Sequence, residues 1–141
     1  MNRLTGEFLK EQEILFVGYS SRNKAYSNLV YQAFMNHGFQ VYPYNTKENA
    51  FYDIKVYRKL EELPHMPKSA FILLNKENTA NAVRMLSERG VKRILFYSGR
   101  IVDEATEKLC EKYEIEMATG CPMMLYGKGL HKFHGLLAGV R

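Results

Sequence analysis

The chain has 141 residues, a net charge of +5 and a hydrophobic share of 46%, which is typical of one globular domain. No apolar run reaches the length of a membrane-spanning helix, and the polar N-terminal residues lack the pattern of a secretory signal, so we expect a cytoplasmic protein without membrane contacts. Two cysteines, Cys110 and Cys121, fit a reducing compartment rather than a disulfide framework. The basic charge suits an anionic ligand or a nucleic acid and selects neither.

Apolar runs alternate with helical patterns along the chain. The runs predict strands at residues 14–18, 39–42, 70–74, 91–97 and 115–118, and a short extended piece at 54–57. Helical spacing predicts one helix that ends at Gly38, a second between Asn78 as its cap and Gly90, and a third at 102–113. Pro43 is expected to stop the second strand. Leu130, Phe133, His134 and Leu137 predict one short amphipathic helix in the tail.

This alternation predicts a fold class. Strands joined by helices form βαβ units with right-handed crossovers and a parallel sheet. We therefore expect an α/β protein, a three-layer Rossmann-like fold with a five-stranded, mostly parallel sheet. The predicted organisation is a single domain over residues 1–141, with a core at about 13–121 and a basic C-terminal extension at 122–141.

The loop after the first strand has the composition of a phosphate-binding loop. Gly18 permits a sharp turn and a close approach of ligand to the backbone. Ser20 and Ser21 can donate hydrogen bonds, and Arg22 and Lys24 can neutralise phosphate charge. The following helix N-terminus adds backbone N–H groups and a favourable dipole. We expect the loops at residues 75–78 and 98–100 to converge on the same edge, at a switch point between the first and fourth predicted strands.

The sequence also discriminates between nucleotides. A dinucleotide fingerprint requires G-x-G-x-x-G in the first loop, and this loop contains the single glycine Gly18. Asn45 and Lys47 follow the second strand where NAD binding favours an acidic residue. Lys47 would attract a phosphate on the ribose, such as the 3′-phosphate of coenzyme A or the 2′-phosphate of NADP. Coenzyme A and NADP are therefore favoured over NAD.

A set of segments in unbroken order carries a family resemblance. They are Val17-Gly-Tyr-Ser20 with Ser27, the runs 37–45, 60–64 and 90–99, and Cys121 after the fifth strand. The chain resembles the small single-domain CoA-binding proteins, whose Rossmann-like domain is shared with the nucleotide-binding part of succinyl-CoA synthetase α subunits. It departs from the family at Thr46, where a proline is usual, and at Phe96-Tyr-Ser-Gly99, where tryptophan and glutamine are common. These departures concern the contacts around the pantetheine arm.

The resemblance implies a cofactor site. Ser20, Ser21 and the N-terminus of the first helix would hold the pyrophosphate, Asn45 and Lys47 would lie by the adenosine, and the loops at Asn75 and Ser98 would line the rest. The predicted cofactor-binding residues are Gly18, Tyr19, Ser20, Ser21, Arg22, Lys24, Ser27, Asn45, Lys47, Asn75, Lys76, Ser98 and Gly99.

These features favour a binding module over a stand-alone enzyme. No acid–base pair, nucleophile elbow or carboxylate cluster is evident in the sequence, and related acyl-CoA synthetases keep their catalytic histidine on additional domains. We expect a CoA or acyl-CoA binding module that acts as a carrier, a sensor or a partner subunit, either as a homodimer or with an unknown protein partner. The alternative is an NADP-binding small oxidoreductase or another nucleotide-binding enzyme.

Two further alternatives remain open. Cys121 with His131 and His134 could form a metal site, for which a fourth ligand is missing, or a reactive thiol, including a mixed disulfide of Cys121 with coenzyme A. The basic charge and the tyrosines invite a nucleic-acid interpretation, although no RNA-binding motif is present. The tyrosines considered as a stacking platform are Tyr19, Tyr42, Tyr44, Tyr52 and Tyr57.

Overall fold

The computed structural model describes residues 2–3, 8–9, 11–21, 24–47, 52 and 54–123. The amphipathic helix predicted in the tail lies outside these residues. The strands are β1 (Asn2–Arg3), β2 (Glu13–Val17), β3 (Gln40–Tyr44), β4 (Ser69–Ile72), β5 (Arg93–Phe96) and β6 (Glu116–Thr119). The helices are α1 (Lys24–Asn36), α2 (Lys76–Ser87) and α3 (Glu104–Lys112), with short 3₁₀ turns at Leu60–Glu62 and Gly99–Ile101.

The strands form one sheet in the order β1-β6-β5-β4-β2-β3, and every pair of neighbours is parallel. The five longer strands are the five that the sequence predicts, so the Rossmann-like α/β fold is confirmed. The two-residue strand β1 pairs with β6 at the edge. It was not predicted, because the first residues of the chain are polar and lack an apolar run.

The predicted location of the switch point was wrong. β2 lies between β3 and β4, so the chain reverses direction across the sheet between the first and third of the predicted strands. The extended piece at 54–57 supplies a single parallel bridge, Tyr57 to Tyr44, outside β3. The extended piece adds no full strand beside β3, and the next long strand in the chain, β4, pairs with the other side of β2.

β3 also continues through Pro43, where the sequence predicted that it would stop. The carbonyl oxygen of Pro43 accepts a hydrogen bond from the N–H of Tyr57 at 2.8 Å, so the backbone polar groups of Pro43 face the outer edge of the sheet. Proline is tolerated in an edge strand when its missing N–H faces outward. The physical reason for the error is therefore the edge position of β3.

The helix ends match the sequence in one place and differ in another. Gly38 follows α1 and has φ +92°. This left-handed conformation is the one with which glycine ends a helix, as the sequence predicted. The cap of α2 is Asn75, whose Oδ1 accepts a hydrogen bond from the N–H of Asn78 at 2.8 Å. The predicted cap, Asn78, was wrong by one helical turn, and its side chain lies on the helix instead.

The core has two halves, one on each face of the sheet. Ile14 and Phe16 of β2 pack with α1, whereas Leu15 and Val17 pack with α2 and α3. Successive strand residues point to opposite faces, so a continuous apolar run is buried on both sides. No helix in the described part of the chain is long and apolar enough to cross a membrane.

Candidate functional site

Two neighbouring cavities open at the carboxyl ends of the strands, at the switch point. The larger has a volume of about 270 Å³ and is lined by Val17, Gly18, Tyr44, Asn45, Thr46, Leu74, Asn78, Asn81, Ala82 and Met85. The smaller has a volume of about 210 Å³ and is lined by Ser20, Leu73, Leu74, Asn75 and Tyr97. Leu74 lines both, so the two cavities adjoin each other across the end of β4. We call them the first and the second cavity.

Gly18 turns the chain at the end of β2. Its φ is +98°, and its N–H donates to the carbonyl oxygen of Tyr44 at 2.8 Å. A Cβ at this position would overlap with the carbonyl oxygen of Leu73 and would lie 2.8 Å from Cδ2 of Leu74. The sequence suggested that glycine lets a ligand approach the backbone. The structure shows that it also lets the end of β4 approach, so its first requirement is packing.

Tyr19 and Ser27 are both fully buried. The ring of Tyr19 makes edge contacts with Phe16, Tyr31 and Tyr52, with centroids 5.5, 6.3 and 6.1 Å apart. Ser27 accepts a hydrogen bond at its Oγ from the N–H of Ser20 at 3.0 Å. The side chains of these two predicted residues therefore support the loop from beneath.

Ser20 and Ser21 lie on the loop above this support, and both are half-buried. Ser20 lines the second cavity. Lys24 is the first residue of α1, where backbone N–H groups lack partners within the helix. Arg22 and the side chain of Lys24 lie outside the described residues.

Asn45 connects the ends of β2 and β3. Its Nδ2 donates to the carbonyl oxygen of Tyr19 at 3.0 Å, and its Oδ1 accepts from the N–H of Lys47 at 3.0 Å. Arg58 donates from Nη1 to the carbonyl oxygen of Lys47 at 2.6 Å. Lys47 is exposed and follows Thr46, which lines the first cavity. Its backbone is thus held on both sides next to that cavity, while its charged end extends into solvent.

Asn75 and Lys76 begin α2 beside the second cavity. Asn75 lines the cavity and caps the helix, and Lys76 is exposed. Hydrogen bonds from Thr106, supported by the charge of Lys76, hold the pKa of Asp103 below its ordinary value. Lys76 itself lines neither of the two cavities.

Ser98 and Gly99 follow β5, one residue beyond the cavity wall. Tyr97 lines the second cavity, whereas Ser98 and Gly99 line neither of the two. Ser98 instead accepts hydrogen bonds from the N–H and the Nε of Arg100 at 3.2 and 3.4 Å. Tyr97, and not the predicted Ser98 and Gly99, therefore lines the second cavity at the end of β5.

Sequence reasoning missed one whole wall of the first cavity. Asn78, Asn81, Ala82 and Met85 line it from α2, and they recur at the spacing of a single helix face. That spacing was the available signal. It was overlooked because Asn78 was interpreted as a cap and because exposed asparagines on a helix resemble an ordinary solvent face.

The alternatives that rest on tyrosine and cysteine receive partial answers. Tyr19, Tyr42 and Tyr44 are buried, so these three do not form an exposed stacking platform. The Sγ of Cys121 lies 3.1 Å from the hydroxyl of Tyr26. His131 and His134 lie outside the described residues, and the interpretations that combine them with Cys121 stay predictions.

Comparisons with known proteins place the chain in a family. The sequence profile of the CoA binding domain matches residues 12–127. Among solved structures, Prb, a PH1109 protein redesigned for binding, superposes with a TM-score of 0.71 at 18% identity, covering 87% of this chain and 89% of that chain. The apo form of dinucleotide-forming acetyl-coenzyme A synthetase 1 from Ca. Korarchaeum cryptofilum superposes with a TM-score of 0.58 at 19% identity, covering 75% of this chain and 25% of that one. These two likenesses show the fold.

One curated relative is trans-feruloyl-CoA synthase FCS1 from an unknown prokaryotic organism, 23% identical over 116 residues. The match covers 81% of this chain and 16% of the relative, so the chain corresponds to a small part of that synthase. Because the profile match extends over most of the sequence, from the start of β2 past the end of β6, the chain belongs to the CoA binding domain family.

Proposed function

We propose that this protein binds coenzyme A or an acyl-CoA at the switch point and acts as a carrier, a sensor or a partner subunit. The observation that carries the proposal is the pair of adjoining cavities on either side of Leu74. Gly18 lines the first cavity and Ser20 the second, so the loop predicted to hold phosphate runs along both. Family membership supports coenzyme A as the ligand and gives no comparable support to NADP.

The volumes of the cavities fit a ligand with two ends. Pockets for drug-sized ligands usually have volumes of about 300–1,000 Å³, whereas these measure about 270 and 210 Å³. Neither is large enough for the whole of coenzyme A. We propose that the first cavity receives the adenosine and the second the pantetheine arm, with the pyrophosphate crossing between them.

The pyrophosphate would lie against Ser20, Ser21 and the first turn of α1. Backbone N–H groups without helical partners and the helix dipole favour an anion at this point. The hydrogen bond from the N–H of Ser20 to the buried Oγ of Ser27 fixes the shape of the loop. Arg22 and Lys24, whose side chains the structure does not describe, would add positive charge by their place in the sequence.

The ribose 3′-phosphate would lie near Lys47. Its backbone is held by Asn45 and Arg58, and its neighbour Thr46 lines the first cavity. A lysine ammonium that reaches a phosphate makes a charge-assisted hydrogen bond. The proposal therefore predicts that coenzyme A binds more tightly than dephospho-CoA, which lacks this phosphate.

A partner-subunit role draws on the size of the curated relative. The name of that relative describes a CoA synthase, and this chain matches 16% of its length. A unit of this size would supply a CoA site to chemistry carried out elsewhere, on another chain or another domain. The carrier and sensor roles use the same site and differ in what releases the ligand.

Thermal stability in the presence of nucleotides tests the proposal. A ligand that binds the folded state raises the melting temperature, and we expect the increase to be largest for coenzyme A, smaller for NADP and smallest for NAD. Ser20→Leu should abolish the coenzyme A shift by filling the pyrophosphate position, whereas Ser20→Ala should retain most of it. Absence of a shift with all three nucleotides at millimolar concentration would overturn the proposal.

A further inference from the structure

We propose that Asn78 and Asn81 select the base of the nucleotide and make the first cavity specific for adenine. This inference rests on the proposed function, because it assigns the adenosine end of the ligand to the first cavity. The two residues lie one helical turn apart on α2, and both line that cavity. Within the described residues, the side chain of neither asparagine hydrogen-bonds to another element of the fold.

The chemistry of the first cavity fits a neutral, planar group. Its apolar walls include Val17, Leu74, Ala82 and Met85. The described residues that line it carry no charged side chain, and their polar groups include the amides of Asn45, Asn78 and Asn81. Phosphate would require cations or unpaired N–H groups, whereas a purine base requires apolar surfaces for its faces and hydrogen-bonding groups at its edge.

The three amides do not have equal hydrogen-bonding capacity. Both polar atoms of Asn45 are used, one by the carbonyl of Tyr19 and the other by the N–H of Lys47. The side-chain amide of Asn78 has no hydrogen-bond partner within the described part of the chain. Asn45 keeps one N–H and one lone pair, so Asn78 and Asn81 on α2 retain more capacity than Asn45 for reading a base.

Asn81 is oriented by a neighbour. Its Oδ1 accepts a hydrogen bond from Nη1 of Arg84 at 3.3 Å. Because a guanidinium group only donates hydrogen bonds, Arg84 holds the oxygen on its own side and leaves the amide nitrogen as the donor available to a ligand. Arg84 is thus a positioning residue that acts through Asn81.

The amide nitrogen of Asn81 is a fixed donor, and the amide of Asn78 beside it can accept. Together they complement the edge of adenine. Adenine presents an amino donor at C6 next to an acceptor at N1, and asparagine pairs with adenine through one accepted and one donated hydrogen bond. Hypoxanthine, which carries an oxo group at C6, reverses both positions. The donor of Asn81, which is exposed in the free protein, would then be covered by the ligand while facing an N–H group, and a donor that loses water without gaining an acceptor is costly.

Binding of coenzyme A and of its hypoxanthine analogue, measured by calorimetry on the full chain, tests the inference. We expect the wild type to prefer coenzyme A about tenfold or more. Asn78→Ala and Asn81→Ala should each reduce this preference, and the double variant should abolish it. Alanine is the residue most favourable to a helix, so these variants should fold. Asn36→Ala, at the far end of α1, is the matched control and should retain the full preference.

Variants of Arg84 test its positioning role. Arg84→Leu should release the amide of Asn81 and lower the preference for adenine, and Arg84→Lys should restore part of it because lysine also donates. A loss of positive charge alone weakens both ligands equally and leaves their ratio unchanged. The ratio therefore separates orientation of the amide from general electrostatic attraction.

The outcomes distinguish this inference from the proposed function. If the wild type binds neither ligand at millimolar concentration, the proposed function is wrong. If it binds both with equal affinity, or if the double alanine variant keeps the full preference, the site stands and the base-selecting role of Asn78 and Asn81 is wrong. If the asparagine variants lose the preference for coenzyme A while Arg84→Leu keeps it, the positioning role of Arg84 is wrong.

Discussion

Gly18 at the end of β2 lies so close to Leu73 that a Cβ on the glycine would overlap with the carbonyl oxygen of the leucine. The N–H of Leu73 in turn donates to the carbonyl oxygen of Val17 at 2.9 Å. This contact joins the two strands that flank the switch point, and Leu73 and Leu74 line the cavities there. The geometry of the site therefore depends on the absence of a side chain at position 18.

Replacing Gly18 by alanine should strongly destabilise the protein. The loss combines the cost of φ +98° with the cost of overlap against a backbone oxygen, and we expect at least about 2 kcal/mol in the free energy of unfolding. Gly90→Ala is the matched control, since Gly90 has φ +87° and no atom within 4 Å of a Cβ. Denaturant unfolding of both variants measures the difference. Equal losses would show that packing against Leu73 is not the cause.

Much of the fold could be predicted because its signals are local. After their first residues, Glu13 and Ser69, β2 and β4 are apolar throughout, as strands covered on both faces are. Gly38 marks a helix end through its backbone conformation. The errors in the predicted end of β3 and in the predicted switch point arose because both features depend on where a strand lies in the sheet. Pro43 remains within β3 because β3 is an edge strand. The strand order is decided by the pairing of β4 with β2, a contact between segments more than 50 residues apart.

The candidate site was predictable in part for the same reason. Gly18, Ser20 and Asn45 line the two cavities, and the sequence could point to them because they lie in loops after strands, whose carboxyl ends meet at one edge of a parallel sheet. Asn81 and Met85 lie within α2, away from the strand ends in sequence, and the packing of that helix on the sheet brings them to the cavity. Tyr19 also packs against the rings of Tyr31 and Tyr52, which are 12 and 33 residues away in the chain, and no local pattern reveals these contacts.

Ser27→Ala should weaken coenzyme A binding although Ser27 is fully buried. The variant removes the acceptor for the N–H of Ser20, which should cost about 1 kcal/mol of stability and alter the loop. Ser69→Ala is the control, because Ser69 is equally buried and its Oγ donates to Glu11 at 3.2 Å from the start of β4. Calorimetric titration of both variants should show weaker binding only for Ser27→Ala. If both bind as the wild type does, the loop does not need this support.

Lys47→Ala should weaken coenzyme A roughly tenfold and leave dephospho-CoA nearly unchanged, since a charge-assisted contact contributes about 1.5–3 kcal/mol at best. Stability should change by less than about 0.5 kcal/mol because the side chain is exposed. The control Lys92→Ala removes an exposed lysine that immediately precedes β5. Equal losses of affinity for the two ligands would mean that Lys47 acts through long-range electrostatic attraction and not on the 3′-phosphate. No loss for either would place the ribose elsewhere.

The tyrosines should make the protein sensitive to alkaline pH. Burial raises the pKa of Tyr42 and Tyr44 above the ordinary value of 10.0, with a further contribution from Glu13 to Tyr42 and from Glu61 to Tyr44. Tyrosine is neutral when protonated, so this stabilisation is complete below the unfolded pKa of about 10 and is lost as pH rises through the folded pKa. Ultraviolet titration of tyrosinate should therefore lag behind that of the denatured chain, and Tyr42→Phe should reduce the lag. Coincident titrations would contradict the burial of these hydroxyls.

Native mass spectrometry of the full chain with coenzyme A tests the central claim most directly. We predict a species heavier by one molecule of coenzyme A, present for the wild type and for Ser20→Ala and absent for Ser20→Leu. That result would locate the ligand at the loop between the two cavities. The claim would be contradicted if no such species formed at millimolar coenzyme A, or if Ser20→Leu formed it as readily as the wild type.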